Sequence, residues 1–124
     1  AVPHGSLATS GNSEHGIEVG GRRFGHLLDP RTGRPAPDFG SVTVWAPDAL
    51  TADCLSTGLF VMGPRPALAW AHAHAGIEIV VLETTPDGDL RATATSGWKG
   101  RIEPLTTGIP LTFTSPATPV PPSR

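Results

Sequence analysis

The chain has 124 residues, a formal charge of −2 and a pI near 6.2, with 38% hydrophobic and 16% charged residues. That length holds one domain with a single core, and the slight acidity with scattered arginines gives no electrostatic footprint for nucleic acid or an anionic membrane. The single cysteine, Cys54, excludes an intrachain disulfide and a cysteine-rich zinc site; no stretch approaches the ~18 apolar residues of a membrane-spanning helix, and the first residues do not read as an export signal.

Residues 7–10 read as a short extended segment that ends in a turn at Gly11-Asn12. Residues 16–19 alternate like a strand, Gly20-Gly21 supply the positive φ of a two-residue loop, and residues 22–28 return to complete a β-hairpin. Asp29-Pro30-Arg31-Thr32-Gly33 is turn chemistry, because Pro30 presets φ and Gly33 accepts a left-handed conformation. A proline-interrupted loop runs to Gly40. Residues 41–46 give the clearest strand, with Val42 and Val44 on one face and Thr43 and Trp45 on the other. Asp48 or Thr51 caps a helix that runs to about Met62 and stops at Gly63-Pro64.

Residues 66–74 form a second, alanine-rich helix with Pro66 in its first turn. The β-branched run 77–82 predicts a covered strand, and Asp87-Gly88 turns the chain back into a strand over 90–95. Residues 1–103 then make the folded unit, and the Pro-, Thr- and Ser-rich residues 104–124 a tail that is disordered or laid on the surface. The expected class is α+β with mixed layers: a largely antiparallel sheet with helices packed on one face.

Two segments carry the chemistry. Asp53, Ser56 and Thr57 share one face of the first helix, because positions i, i+3 and i+4 are neighbours there. A carboxylate with hydroxyls is a hard oxygen set suited to Mg²⁺ beside waters and phosphate oxygens. The plainer reading makes Asp53 a first-turn acid that complements the helix dipole, with the hydroxyls bonding the preceding turn. His26, at the end of an apolar run, is either a structural residue or a proton carrier facing a cleft. In the turn that follows, Asp29, Thr32 and Gly33 either only hold the chain or form a small nest whose N–H groups and Thr32 hydroxyl approach an anionic ligand. His72 and His74, two apart on a helix, point different ways and do not share a metal. His4 and His15 read as surface residues, and Cys54 as a packed thiol. No phosphate-binding P-loop or G-x-G-x-x-G segment is present.

In order, the segments Ser6-Leu7-Ala8-Thr9-Ser10-Gly11, His26-Leu27-Leu28-Asp29-Pro30-Arg31-Thr32-Gly33-Arg34-Pro35 and Ala52-Asp53-Cys54-Leu55-Ser56-Thr57-Gly58-Leu59-Phe60-Val61-Met62-Gly63 resemble the C-terminal half of the ApbE family. These are T-fold-like flavin transferases that move FMN from FAD onto a threonine or serine of a flavoprotein and release AMP. The resemblance implies FAD as substrate, Mg²⁺ as cofactor and an acceptor flavoprotein as partner. It further implies that His26 is the catalytic base, that Leu27 lies by the flavin nucleotide, and that Asp53, Ser56 and Thr57 bind the metal. Family members are often exported or membrane-tethered in bacteria. The family's N-terminal D-x-G-x-x-x-K-G and N-x-G-G-x segments are not in this chain. The expectation is therefore a fragment, a split enzyme completed by a separate chain or homo-oligomer, or a truncated relative. A non-catalytic flavin-binding module and an FAD pyrophosphatase are the alternative functions.

Overall fold

Alternation along Gly40–Ala46 sends Val42, Val44 and Ala46 to one side, where all three are buried, and leaves Thr43 and Trp45 half-buried on the other. The computed structural model describes residues 4–12 and 16–116. In it this strand, β6, pairs antiparallel with β1 (Ser6–Gly11) and with β7 (Glu78–Thr84). Between β1 and β6 lie β2 (Gly16–Val19), β3 (Arg22–Gly25), β4 (Leu28–Asp29) and β5 (Arg34–Pro35), which form two small two-stranded sheets, β2-β3 and β4-β5. Beyond β7 come β8 (Leu90–Thr95) and β9 (Leu111–Thr114), giving a five-stranded main sheet in the order β1-β6-β7-β8-β9. Every pairing in it is antiparallel except β8 with β9.

Two helices connect β6 to β7: α1 (Ala49–Met62) and α2 (Pro64–His72). α1 packs on β1 and β6, and α2 on β7 and β8. Ala52, Leu59, Phe60, Ala67, Leu68 and Ala71 of the helices meet Val42, Val44, Ala46, Ile79 and Val81 of the sheet in one core. Phe39 stacks on Phe60 with ring centroids 4.7 Å apart. The expected α+β layers with helices on one face are what the chain forms. Among the described residues no helix is long and apolar enough to cross a membrane.

Glu78, at the start of β7, accepts hydrogen bonds from the Thr95 hydroxyl and from the Gly97 N–H, the latter at 3.1 Å. A Cβ at Gly97 would overlap that carboxylate and push it off these partners.

Three expectations change. Residues 111–114 were expected in a disordered or surface tail, but Leu111, Phe113 and the two threonines alternate in a way that joins β8, with the Thr114 hydroxyl 3.1 Å from His72 Nε2. Residues 104–110 and 115–116 carry no helix or strand, and residues 117–124 and His15 lie outside the described residues. Cys54 is exposed rather than packed, because it lies about 200° around α1 from the buried Ala52. Asn12, read as a turn residue, is buried, since Gly25 has no side chain to keep it out.

Candidate active site

Asp48 sets the rotation of α1. Its carboxylate accepts the Thr51 N–H at 2.9 Å and the Thr51 hydroxyl at 2.8 Å, which hold it below the usual carboxylate range. The first turn contains no acidic residue, so the reading of Asp53 as a first-turn acid does not hold. With this start, Ala52, Ser56, Leu59 and Phe60 face the sheet, while Asp53 and Thr57 are exposed on the adjoining face. Phe60 is in the core and Leu55 packs against it.

Ser56 is 0% exposed and its hydroxyl donates to the Asp53 carbonyl at 2.9 Å. The neighbouring strand supplies a third hydroxyl. Period-two alternation puts Ser6, Ala8 and Ser10 of β1 toward α1, and Ser10 Oγ lies 2.8 Å from Ser56 Oγ and 3.0 Å from Thr57 Oγ1. Each hydroxyl has a single proton. Ser56 gives its own to Asp53, so Ser10 gives its own to Ser56, and Thr57 gives its own to Ser10. The relay leaves Thr57 as the terminal donor, with its proton committed to Ser10 and its oxygen lone pairs not used in the relay. One exposed carboxylate and one hydroxyl oxygen freed from donating elsewhere form a hard donor set that fits Mg²⁺ with waters and phosphate oxygens completing the shell. Among the described residues no group of three or more His, Cys, Asp or Glu side chains is placed to hold a metal, so a cation at this place would rest on one carboxylate, a hydroxyl oxygen and waters.

His26 follows β3 and is exposed. The backbone after it is held at both polar groups: Leu27 N–H donates to Asn12 Oδ1 at 3.4 Å, and Leu27 C=O accepts the N–H of buried Ala36 at 2.8 Å. The turn that follows is self-contained. Asp29 C=O accepts the N–H groups of Thr32 at 3.1 Å and Gly33 at 2.7 Å, and its carboxylate accepts the Arg31 N–H at 2.9 Å. The Thr32 hydroxyl accepts the Arg34 N–H at 3.2 Å, and Gly33 has φ of 66° as the turn requires. The Arg31 guanidinium, 2.8 Å from Asp29, holds that carboxyl below the usual carboxylate range. The N–H groups of a nest are thus engaged inside the turn.

His72 and His74 do diverge, one toward Thr114 and the other stacked on Trp70 with ring centroids 3.7 Å apart. His4 is exposed, and its carbonyl accepts the Trp45 indole N–H at 3.1 Å. Sequence reasoning missed Ser10 and Asn12 as site residues. The signal for Ser10 was the alternation of β1; for Asn12 there was none short of knowing that β3 crosses its side chain.

The ApbE family model matches residues 1–81. An FAD:protein FMN transferase of Vibrio cholerae is 40% identical over 95 residues, which cover 76% of this chain and 28% of the relative. An FAD:protein FMN transferase of Rhodobacter capsulatus is 37% identical over 114 residues, 90% of this chain and 21% of the relative. The solved structure of the flavin transferase ApbE from Vibrio cholerae superimposes with a TM-score of 0.62 at 38% identity, covering 76% of this chain and 29% of that one. The ApbE protein of Thermotoga maritima gives 0.56 at 39% identity, covering 69% and 28%. The chain therefore spans a quarter or so of the length of the relatives it matches.

Proposed function

The chain belongs to the ApbE family, and on that premise we propose that it is the C-terminal portion of a Mg²⁺-dependent FAD:protein FMN transferase. The observation that carries this reading is the single strand end, Ser10 to Asn12, that touches both the hydroxyls of α1 and the segment bearing His26.

In this reading Asp53 and Thr57 hold the metal, and Ser56 stands behind them as the buried end of the hydroxyl relay. When bound, Mg²⁺ neutralises the pyrophosphate charge of FAD. Leu27 lies beside the flavin nucleotide. Asp29, Thr32 and Gly33 hold the turn at its edge, their own polar groups being used within it. His26 takes the proton from a threonine or serine hydroxyl of the acceptor flavoprotein as its oxygen attacks the FMN-side phosphorus. The bond from that phosphorus to the bridging oxygen breaks, and AMP leaves with the oxygen. Orientation of hydroxyl against phosphorus supplies much of the acceleration.

Because the relatives are several times longer, the rest of the nucleotide cradle comes from polypeptide beyond these residues, in the same chain or in a partner. The test is incubation with FAD, Mg²⁺ and an acceptor flavoprotein domain, reading AMP by chromatography and flavin fluorescence on a denaturing gel. AMP with a fluorescent acceptor band supports the transferase. AMP and free FMN without the band point to FAD hydrolysis, and FAD binding without AMP, even when the upstream portion is supplied, points to a binding module.

A further inference from the structure

We propose that Asn12 is a positioning residue for His26, fixing the backbone on both sides of the imidazole-bearing residue from the same strand end that orders the helix hydroxyls. The proposal rests on the reading of His26 as the base, and adds a residue to which no part in the reaction has been given above.

Asn12 is 1% exposed and follows directly on β1. On one side of His26, a Cβ at Gly25 would overlap the Asn12 amide, so the amide occupies space that a side chain at that position would fill. On the other side, Asn12 Oδ1 accepts the Leu27 N–H at 3.4 Å while Ala36 takes the Leu27 carbonyl at 2.8 Å. The two neighbours of His26 are thereby pinned, one by contact and one by hydrogen bonds at both polar groups. Two residues earlier in the same strand, Ser10 meets Ser56 and Thr57. A strand rises only ~3.3 Å per residue, so the two contacts share one short piece of backbone.

Stability alone does not account for an asparagine here. Its Nδ2 is buried and has no hydrogen-bond partner among the described residues. A buried donor left unpaired is costly, and an apolar side chain of similar shape would avoid that cost. What the apolar side chain would not supply is the acceptor for Leu27, the group that sets the direction of the chain leaving His26.

The test uses Asn12→Leu and Asn12→Asp in the full chain, read by NMR in the absence of flavin. Asn12→Leu removes the acceptor and the orphaned donor; Asn12→Asp retains an acceptor oxygen. Expected for Asn12→Leu are a melting temperature that does not fall, amide exchange at Leu27 faster by about tenfold or more, and displaced His26 imidazole resonances. Asn12→Asp is expected to restore both the slow exchange and the His26 resonance positions. Unchanged Leu27 exchange and His26 resonances in a folded Asn12→Leu would overturn the proposal, as would failure of Asn12→Asp to differ from Asn12→Leu. Should Asn12→Leu not fold, Gly25→Ala displaces the amide from the other side, and unchanged Leu27 exchange there overturns it equally. None of these readouts needs turnover. Failure of FMN transfer with the NMR pattern as expected would therefore count against His26 as base and leave Asn12 as its positioner.

Discussion

Separate replacement of Ser56 and Asp53 divides support from ligation. Ser56→Ala removes a fully buried hydroxyl that donates to the Asp53 carbonyl at 2.9 Å and accepts from Ser10 at 2.8 Å. The Asp53 carbonyl keeps its place in the helical ladder, and Ser10 keeps Thr57 as its donor at 3.0 Å but loses the acceptor for its own proton. The loss is the net worth of two ordinary hydrogen bonds, about 2 kcal/mol, which in a domain of this size lowers Tm by roughly 8 °C. Asp53→Ala alters an exposed side chain away from the cap, and its effect on stability stays within about 0.5 kcal/mol. For the cation the order reverses. Around an exposed carboxylate the dielectric is water-like, so a divalent ion ~2 Å away gains roughly 4 kcal/mol before the cost of shedding a water. Asp53→Ala is therefore expected to weaken binding at least about tenfold, with Ser56→Ala changing it by no more than about threefold. Thermal melts by circular dichroism give the first quantity. Broadening of α1 amide resonances by Mn²⁺, reversed by Mg²⁺, gives the second. If Ser56→Ala erased the broadening with an unchanged Tm, or Asp53→Ala preserved it, the division of roles would be refuted.

Ser10→Ala takes away the acceptor for the Thr57 proton, so Thr57 is expected to rotate and Mg²⁺ affinity to fall severalfold, measured by the same Mn²⁺ competition; Ser10→Thr should retain most of it. Gly97→Ala forces the Glu78 carboxylate off Thr95 and is expected to cost about 1–3 kcal/mol in urea denaturation, a penalty largely absent in a Glu78→Ala background. Asp48→Asn should abolish a pH dependence of stability. The carboxyl is held low by the Thr51 N–H and hydroxyl, so its contribution is complete above the ordinary carboxylate range and disappears as pH falls through the lowered value. Melts of the two proteins between neutral and strongly acidic pH should show that difference, and parallel curves would remove Asp48 as the ionised cap.

Much of this architecture is local and was legible. The valines of β6, the Asp48 cap, the Gly63 stop and the Gly33 turn each follow from a few consecutive residues obeying one steric or hydrogen-bonding rule. The helical spacing that joins Asp53 to Thr57 is of the same kind. The rest depends on partners distant in sequence. Ser10 gains its meaning from Ser56 and Thr57, Asn12 from Gly25 and Leu27, and Leu111–Thr114 from β8. In a segment dominated by proline and threonine, four alternating residues become a strand only because an open ladder lies beside them. Cys54 was misjudged because α1 is apolar on most of its circumference, which leaves the buried side undetermined until the cap fixes its rotation.

The position of β1 at the border of the sheet bears on how the protein assembles and how it fails. β6, the two helices, β7 and β8 follow one another along the chain and pair with their neighbours in sequence, so they can consolidate early. β1 must arrive from far upstream, setting Leu7 opposite Trp45 and Ser10 opposite Val42, with β6 as its one strand neighbour among the described residues. The contacts of Ser10 with the helix hydroxyls and of Asn12 with Leu27 are then acquired last, when that border strand docks. The same arrangement ties two sets of contacts to one strand: undocking β1 from β6 takes Ser10 and Asn12 away together. Such undocking would disorganise the acid–hydroxyl pair and the segment bearing the histidine in a single event, while the core between the helices, β6 and β7 remains closed.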